Sequence, residues 1–302
     1  MEGVAANELI PDEGAVTESA VWERVGCDPM ELLRTEEGRG RLGAIYGEYG
    51  AVAGRHGVPI VMCAPTWRAN RERVGAGENQ RAVEFIAGFT PWHLALMGPR
   101  GDCYTPEAAL GREEARRFHE WQAGELREAR GVLLATFPAV SEALGILDVL
   151  EAPAVVSFVL TEEGRLLDGT PLERAMEEID EEAGRRPVGY WVNCTHAGRA
   201  LVGLRAARER GELRRLIGVQ ANSSRLDPRE FAGATEFGGD VPEEFAEGLM
   251  ALWREFGVRV LGGCCGTRAE HLHALARVLT ARHARPMREG ESLGSGEDAT
   301  RR

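Results

Sequence analysis

The sequence predicts a single α/β domain, a (β/α)8 TIM barrel over residues 1–281, followed by a polar, disordered tail over 282–302. Short apolar runs rich in β-branched residues alternate with longer segments of helical periodicity. Eight such runs can be counted, and strands that are apolar throughout are typical of a parallel sheet covered by helices. A barrel of about 250 residues also fits a chain of 302 residues. An open doubly wound sheet is the alternative fold.

The eight predicted strands are bounded by polar or turn-forming residues. In chain order they cover residues 8–10, 58–63, 93–98, 132–137, 154–160, 189–194, 216–222 and 258–264. The first, ELI, is the weakest, and the following IPDEGAV competes for its place. Active sites of such barrels lie at the carboxyl ends of the strands, so we expect functional residues at the strand ends.

Several predicted helices carry start and stop signals. Thr170 and Glu173 have the spacing of a capping box, and so do Thr267 and Glu270. The helix before Gly257 repeats apolar residues on one face and is expected to end at that glycine.

Composition excludes several classes of function. The net charge of −12 argues against a nucleic-acid partner or an anionic membrane surface. All 36 basic residues are arginine, which excludes Schiff-base, pyridoxal phosphate and Walker lysine chemistry. The chain shows neither a secretory leader nor a run of about 18 apolar residues, so we expect a cytoplasmic location. In that compartment the six cysteines are expected to be thiols or metal ligands.

Cysteines mark two of the predicted strand ends. Cys194 ends the sixth strand, and Cys264 and Cys265 end the eighth. Two strand ends that are separated by one barrel position can direct side chains to one point, and three thiolates there would form a zinc site with an open fourth position. Taken singly, Cys194 also fits an inert buried thiol, and the adjacent pair fits a vicinal disulfide.

The segments around these cysteines carry a family resemblance. WVNC and LGGCCGT, together with SFVLTEEGRLLDGTPL, GVQANSS and MGPRGD, resemble the homocysteine S-methyltransferase family over nearly the whole chain. The resemblance implies zinc as cofactor, bound by Cys194, Cys264 and Cys265. It also implies an enzyme that moves a methyl group from a small onium donor to a zinc-bound thiolate such as homocysteine. S-methylmethionine, S-adenosylmethionine or a betaine-like compound would be the donor, and no catalytic residue is needed beyond the zinc site.

Five further residues are expected to bind these small-molecule substrates. Asp12 matches the family aspartate that holds the amino group of homocysteine, and Thr136 matches the threonine of its Glu-Thr motif after strand four. Asn193, beside Cys194, and Asn222 lie at the ends of strands six and seven, where they would orient the site or form turns. Trp67 follows strand two, where its ring would attract a cationic donor or pack at the rim.

Two positions depart from the family pattern. Ala135 stands where the family has the glutamate that helps to hold the amino group, and Glu13 replaces a glycine. Losing a carboxylate that pairs with a buried ammonium group would cost about 3–5 kcal/mol. We therefore hypothesise that the acceptor thiol differs from homocysteine at its amino acid end, or is held differently.

The alternative functions are demethylation of a thioether, in the reverse sense, and a zinc-binding regulatory barrel without catalysis. The oligomeric state stays open.

Overall fold

The structure, a computed structural model, describes residues 15–18, 24–227, 230 and 239–283. Eight parallel strands follow one another around a closed barrel, and the last strand pairs with the first. The closed order confirms the predicted barrel and excludes the open sheet. The strands are β1 (Ala15–Glu18), β2 (Ile60–Cys63), β3 (His93–Met97), β4 (Val132–Phe137), β5 (Ala154–Phe158), β6 (Gly189–His196), β7 (Leu216–Asn222) and β8 (Val260–Gly263).

Helices surround the barrel: two follow β1 and one follows each of the other strands in the described part of the chain. In the described part of the chain they are α1 (Pro29–Leu32), α2 (Glu36–His56), α3 (Glu78–Ala87), α4 (Arg112–Glu125), α5 (Val140–Leu147), α6 (Leu172–Glu182), α7 (Ala197–Arg210), α8 (Pro242–Phe256) and α9 (Ala269–His283). α8 ends as predicted, because Gly257 adopts a left-handed conformation with φ of 66°. None of the helices within the described ranges is long and apolar enough to cross a membrane.

The predicted position of the first strand was wrong. The ELI run at 8–10 lies outside the described residues, and the strand that closes the barrel is β1. Thr17 of β1 pairs with Val61 of β2 on one side and with Gly262 of β8 on the other. The four residues of β1, AVTE, are half polar and too few for the apolar run by which the other strands were found.

Two helix starts differ from the predicted capping boxes. α6 begins after Pro171 without a side-chain cap, and the buried Glu173 instead forms an ion pair 2.8 Å from Arg210 at the end of α7. The hydroxyl of Thr267 donates a hydrogen bond of 2.7 Å to the carbonyl of Cys264 rather than capping α9. In the first case a partner far along the chain uses the polar group that local spacing assigned to the cap, and in the second a carbonyl three residues earlier does.

The barrel interior is a packed apolar core rather than a channel. Val61, Leu133 and the fully buried Trp191 belong to one cluster of inward-facing side chains. Trp191 lies against Gly218 of β7, where a Cβ would approach the indole Cδ1 to 2.6 Å. The glycine therefore makes room for the largest side chain of the interior.

A buried carboxylate holds the loop between β3 and α4. Glu142 of α5 is fully buried and accepts hydrogen bonds from the backbone N–H groups of Arg100, at 2.7 Å, and Leu110, at 3.1 Å. Its carboxylate also lies 2.9 Å from Nε2 of His119. The same loop forms one wall of the cavity at the carboxyl-end rim of the barrel. Glu142 therefore holds this wall against the helices.

Replacing this carboxylate is expected to destabilise the fold. Glu142→Ala should lower the free energy of unfolding by about 3 kcal/mol, because two buried N–H groups lose their acceptor. The control Glu114→Ala removes an exposed carboxylate 3.8 Å from Arg100. It should change the free energy of unfolding by less than about 0.5 kcal/mol. Urea denaturation followed by circular dichroism measures both. Equal effects of the two substitutions would contradict the role of Glu142.

Candidate metal centre

Three thiols converge at the carboxyl-end rim of the barrel. Cys194 lies near the end of β6, and Cys264 and Cys265 directly follow β8. The Sγ atoms of all three lie within 4.8 Å of one another, and those of Cys194 and Cys264 are 2.8 Å apart. Cys194 and Cys264 are buried, Cys265 is half-buried, and all three are free thiols.

Irregularities in two strands turn side chains toward this point. Thr136 in β4 and Cys194 in β6 have φ of 67° and 53°, and they are the non-glycine residues of the described chain in the left-handed region. The pairing register shifts across Thr136 between β4 and β5, and across Cys194 between β6 and β7. Such bulges redirect a side chain at the cost of local backbone strain, which is about 1–2 kcal/mol for a residue with a Cβ.

The loop after β8 explains how two adjacent thiols can share one site. The N–H of Cys265 donates to Oδ1 of Asn222 at 3.1 Å, and the carbonyl of Cys264 accepts from the hydroxyl of Thr267. The chain then turns at Gly266, where φ is 75°. These bonds hold the backbone of both cysteines, so the direction of both thiols is set by the loop.

A short chain of hydrogen bonds supports the third thiol. Nδ2 of Asn193 donates to Oγ1 of Thr136 at 2.7 Å, and that oxygen lies 4.0 Å from Sγ of Cys194. Oδ1 of Asn193 is buried and has no hydrogen-bond partner. Because a buried acceptor without a donor is costly, this oxygen is available to a group that enters the pocket.

The closeness of the thiols raises the pKa values of Cys194 and Cys265. Hydrogen bonding to Cys264, together with burial, raises the pKa of Cys194 well above its usual range. Hydrogen bonding to Cys194 and Cys264, and then burial, does the same to the pKa of Cys265. Thiolates at these distances need a positive ion between them. A tetrahedral ion with metal–sulfur bonds of about 2.3 Å places its thiolates about 3.8 Å apart, so this set fits such an ion after small side-chain movements.

A cavity of about 290 Å³ opens onto the three sulfurs. Three of the predicted substrate residues line it: Trp67, Thr136 and Asn193. Asn222 does not line the cavity and instead holds the backbone of Cys265. Asp12 lies outside the described residues, as does Glu13.

Trp67 forms one side of the cavity, but its ring has other partners there. Its Nε1 donates to the carbonyl of Ala135 at 3.0 Å, and the ring lies against Gly98, where a Cβ would come within 2.3 Å of Nε1. The guanidinium of Arg68 lies over the ring, 4.7 Å from its centroid. A cationic donor on the same face would have to displace this guanidinium.

The sequence analysis missed several residues that line the cavity. Arg68 follows Trp67 directly, and Asp102, Cys103 and Tyr104 belong to the loop after β3. Burial raises the pKa of Cys103 to about 12, so this fourth thiol stays protonated near neutral pH. Their position was the available signal, because Arg68 follows the second predicted strand and residues 102–104 follow the third.

The geometry defines the class of protein as a (β/α)8 barrel with a candidate metal centre at its carboxyl-end rim. A family model described as homocysteine S-methyltransferase matches residues 63–279, well over half of the chain. The chain belongs to the homocysteine S-methyltransferase family.

Two curated relatives agree with this assignment. Homocysteine S-methyltransferase YbgG of Bacillus subtilis (strain 168) is 27% identical over 198 residues, covering 62% of this chain and 61% of the relative. Homocysteine S-methyltransferase 1 of Arabidopsis thaliana is 26% identical over 226 residues, covering 72% of this chain and 66% of the relative. The matched part thus spans slightly less than two thirds of each relative's length.

Solved structures support the fold. The metallated form of the homocysteine methyltransferase MmuM from Escherichia coli has a TM-score of 0.65 at 18% identity, covering 87% of this chain and 95% of that one. The apo form has a TM-score of 0.61 at 20% identity, covering 87% and 93%. At these identities the likeness concerns the barrel itself.

The strained backbone at Cys194 generates a prediction about stability. In the metal-free protein, Cys194→Gly should be about 1 kcal/mol more stable than Cys194→Ala, because glycine adopts positive φ without a Cβ penalty. At an ordinary strand position the order would be reversed by about 1 kcal/mol. Guanidinium denaturation of both variants measures the difference. An alanine variant as stable as the glycine variant would show that the strain is absent.

Proposed function

We propose that this protein is a zinc-dependent S-methyltransferase, which moves a methyl group from a small onium donor to a thiol such as homocysteine. The convergence of Cys194, Cys264 and Cys265 in one cavity at the barrel rim is the observation that carries the proposal. Membership of the family, and the names of the curated relatives, support methyl transfer to a thiol.

The chemistry of the ligand set supports zinc as the metal. Three thiolates are soft ligands that suit zinc, and they leave the fourth tetrahedral position for a substrate. Zinc bound there would supply positive charge, which lowers the pKa of an acceptor thiol and keeps it ionised at neutral pH. Asn222 and Thr267 hold the backbone of two cysteines, and Thr136 supports the third.

The residues around the thiols suit a methyl transfer. In this reaction the acceptor sulfur forms a bond to the methyl carbon, and the bond from that carbon to the onium atom of the donor breaks. The electron pair of the broken bond stays with the donor, which becomes neutral, and the proton of the acceptor thiol is lost to solvent. Anionic and cationic charge cancel as the reactants meet, so walls that exclude water favour the step. Leu96, Leu133 and Ala135 supply such apolar walls.

The donor belongs to the same proposal. S-methylmethionine, S-adenosylmethionine and betaine-like compounds share a positively charged onium centre and are small enough to approach the rim. The role of Asp12 toward the acceptor, a domain over 1–281, a disordered tail over 282–302 and the cytoplasmic location all stay predictions.

Metal content tests the ligand set. The wild type should contain about one zinc per chain, and Cys194→Ala and Cys264→Ala should lose both the zinc and the methyl transfer. Cys27→Ala, at an exposed cysteine, is the control and should keep both. Plasma mass spectrometry and chromatography of the methylated thiol give the two readouts. Zinc retained by both cavity variants would overturn the ligand set, whereas zinc without methyl transfer to any thiol would overturn the activity alone.

The hydroxyl beside Cys194 is expected to strengthen metal binding. Thr136→Val should weaken zinc affinity about tenfold, because Nδ2 of Asn193 loses its acceptor and the sulfur of Cys194 loses its polar neighbour. Thr136→Ser keeps the hydroxyl and should stay near the wild-type affinity. Competition with a chromophoric chelator measures the dissociation constants. If serine weakened binding as much as valine, the hydroxyl would have no part in it.

A further inference from the structure

A buried carboxylate contacts the end of β6 outside the cavity. Asp240 lies two residues before α8, and its side chain is 6% exposed. Its Oδ2 accepts a hydrogen bond of 2.7 Å from Nε2 of His196, and its Oδ1 accepts one of 2.6 Å from Nε of Arg225. His196 is the last residue of β6 and follows Cys194 by two residues. Asp240 is therefore tied to the strand end that carries the first thiol.

The second nitrogen of the His196 ring fixes the direction of this contact. Nδ1 accepts from the backbone N–H of Gly198 at 3.1 Å at the start of α7. A ring nitrogen that accepts carries no proton, so the proton lies on Nε2 and is donated to Asp240. Burial alone would raise the pKa of Asp240, but the hydrogen bonds from His196 and Arg225 outweigh it, and the pKa falls below its usual range. An ionised carboxylate thus holds the ring.

The backbone of Asp240 is joined to the loop that carries the other two thiols. Its N–H donates to the carbonyl of Ser223 at 2.9 Å, and the N–H of Ser223 donates to the carbonyl of Cys265 at 3.1 Å. The carbonyl of Asp240 accepts from Nε2 of His271 in α9 at 3.2 Å, since Nδ1 of that ring accepts from the N–H of Arg268. One residue therefore contacts both sides of the thiol cluster.

The connection between Asp240 and the cysteine loop is closely packed. Oγ of Ser223 lies between Gly239 and Gly266, where a Cβ on either glycine would come within 2.4 Å of it. Gly266 is also the residue at which the chain turns after the two cysteines. Because interiors packed this closely transmit displacements, a shift of Asp240 would reach the turn that directs the thiols.

We propose that Asp240 is a positioning residue for the candidate metal centre. Through His196 it holds the end of β6, and with it Cys194, at a fixed separation from the loop of Cys264 and Cys265. When the carboxylate is removed, the ring loses its acceptor, and the left-handed backbone of Cys194 can relax by moving its thiol away from the other two. The inference rests on the metal site of the proposed function, and Asp240 itself contacts neither metal nor substrate.

Zinc affinity separates this role from a general contribution to stability. Asp240→Asn keeps the size of the side chain and removes its charge, and the zinc dissociation constant should rise about tenfold. The control is Asp180→Asn, because Asp180 also pairs with two arginines, Arg186 and Arg215, but accepts from the hydroxyl of Tyr190 at the start of β6. It should destabilise the metal-free protein and leave the dissociation constant unchanged. Competition with a chromophoric chelator and urea denaturation measure the two quantities.

Cobalt(II) gives a readout that lost stability alone would not change. Saturated with cobalt, the wild type should show the thiolate charge-transfer band and the intense d–d absorption of a tetrahedral site. Asp240→Asn should lose part of the d–d intensity, because one thiolate is displaced, and Asp180→Asn should keep the wild-type spectrum. A wild-type spectrum in Asp240→Asn would contradict the positioning role.

Variants of His196 test whether the effect passes through this ring. His196→Gln keeps an N–H donor toward Asp240 and should stay within about twofold of the wild-type zinc affinity, whereas His196→Leu should weaken it about tenfold. His196→Leu combined with Asp240→Asn should weaken it no further, because the single changes break the same contact. Additive losses would overturn the inference, and so would an equal loss in Asp180→Asn.

The same measurements distinguish failure of the inference from failure of the proposed function. A wild type that binds zinc and transfers the methyl group, with all variants at wild-type affinity, would overturn the inference and leave the function standing. A wild type that binds no zinc would overturn the ligand set and the inference with it.

Discussion

The candidate site depends on bringing three thiols to one point above the barrel. Two of them, Cys194 and Cys264, lie 70 residues apart in sequence. Closure of the sheet brings the ends of β6 and β8 to either side of β7. The bulge in β6 then turns Cys194 toward β8, and the loop after β8 points its two thiols back. Because parallel strands end at a common rim, the barrel supplies the convergence that no local segment could provide.

Backbone strain and unpaired buried polar atoms lie together at the site where the methyl transfer is proposed. Thr136 and Cys194 hold left-handed backbone conformations side by side, and buried polar atoms of Asn193 and Asn222 lack partners. Strain and unpaired groups of this kind persist when the surrounding structure over-determines them. The packed interior around Trp191 gives that support, since it fixes the strands directly below the rim.

Few charged side chains line the cavity in the described part of the chain. The thiols need a cation between them, the chain as a whole carries −12, and Arg68 and Asp102 are the charged side chains of the described chain that line the cavity. Apolar walls beside the thiols exclude water, which favours a step in which an anionic sulfur meets a cationic donor.

The sequence by itself determined the barrel, seven of its eight strands and the three cysteines, because buried parallel strands leave continuous apolar runs and the cysteines stand at their ends. It misplaced β1, whose four residues are half polar, and assigned to helix caps Glu173, which pairs with the distant Arg210, and Thr267, which binds the carbonyl of Cys264. Only the tertiary structure decided that Asn222 holds the backbone of Cys265 and that Arg68 lies over Trp67 at the cavity. Hydrophobic periodicity records which face of an element is buried, whereas the direction of a side chain at a bulge or loop depends on contacts between residues far apart in the chain.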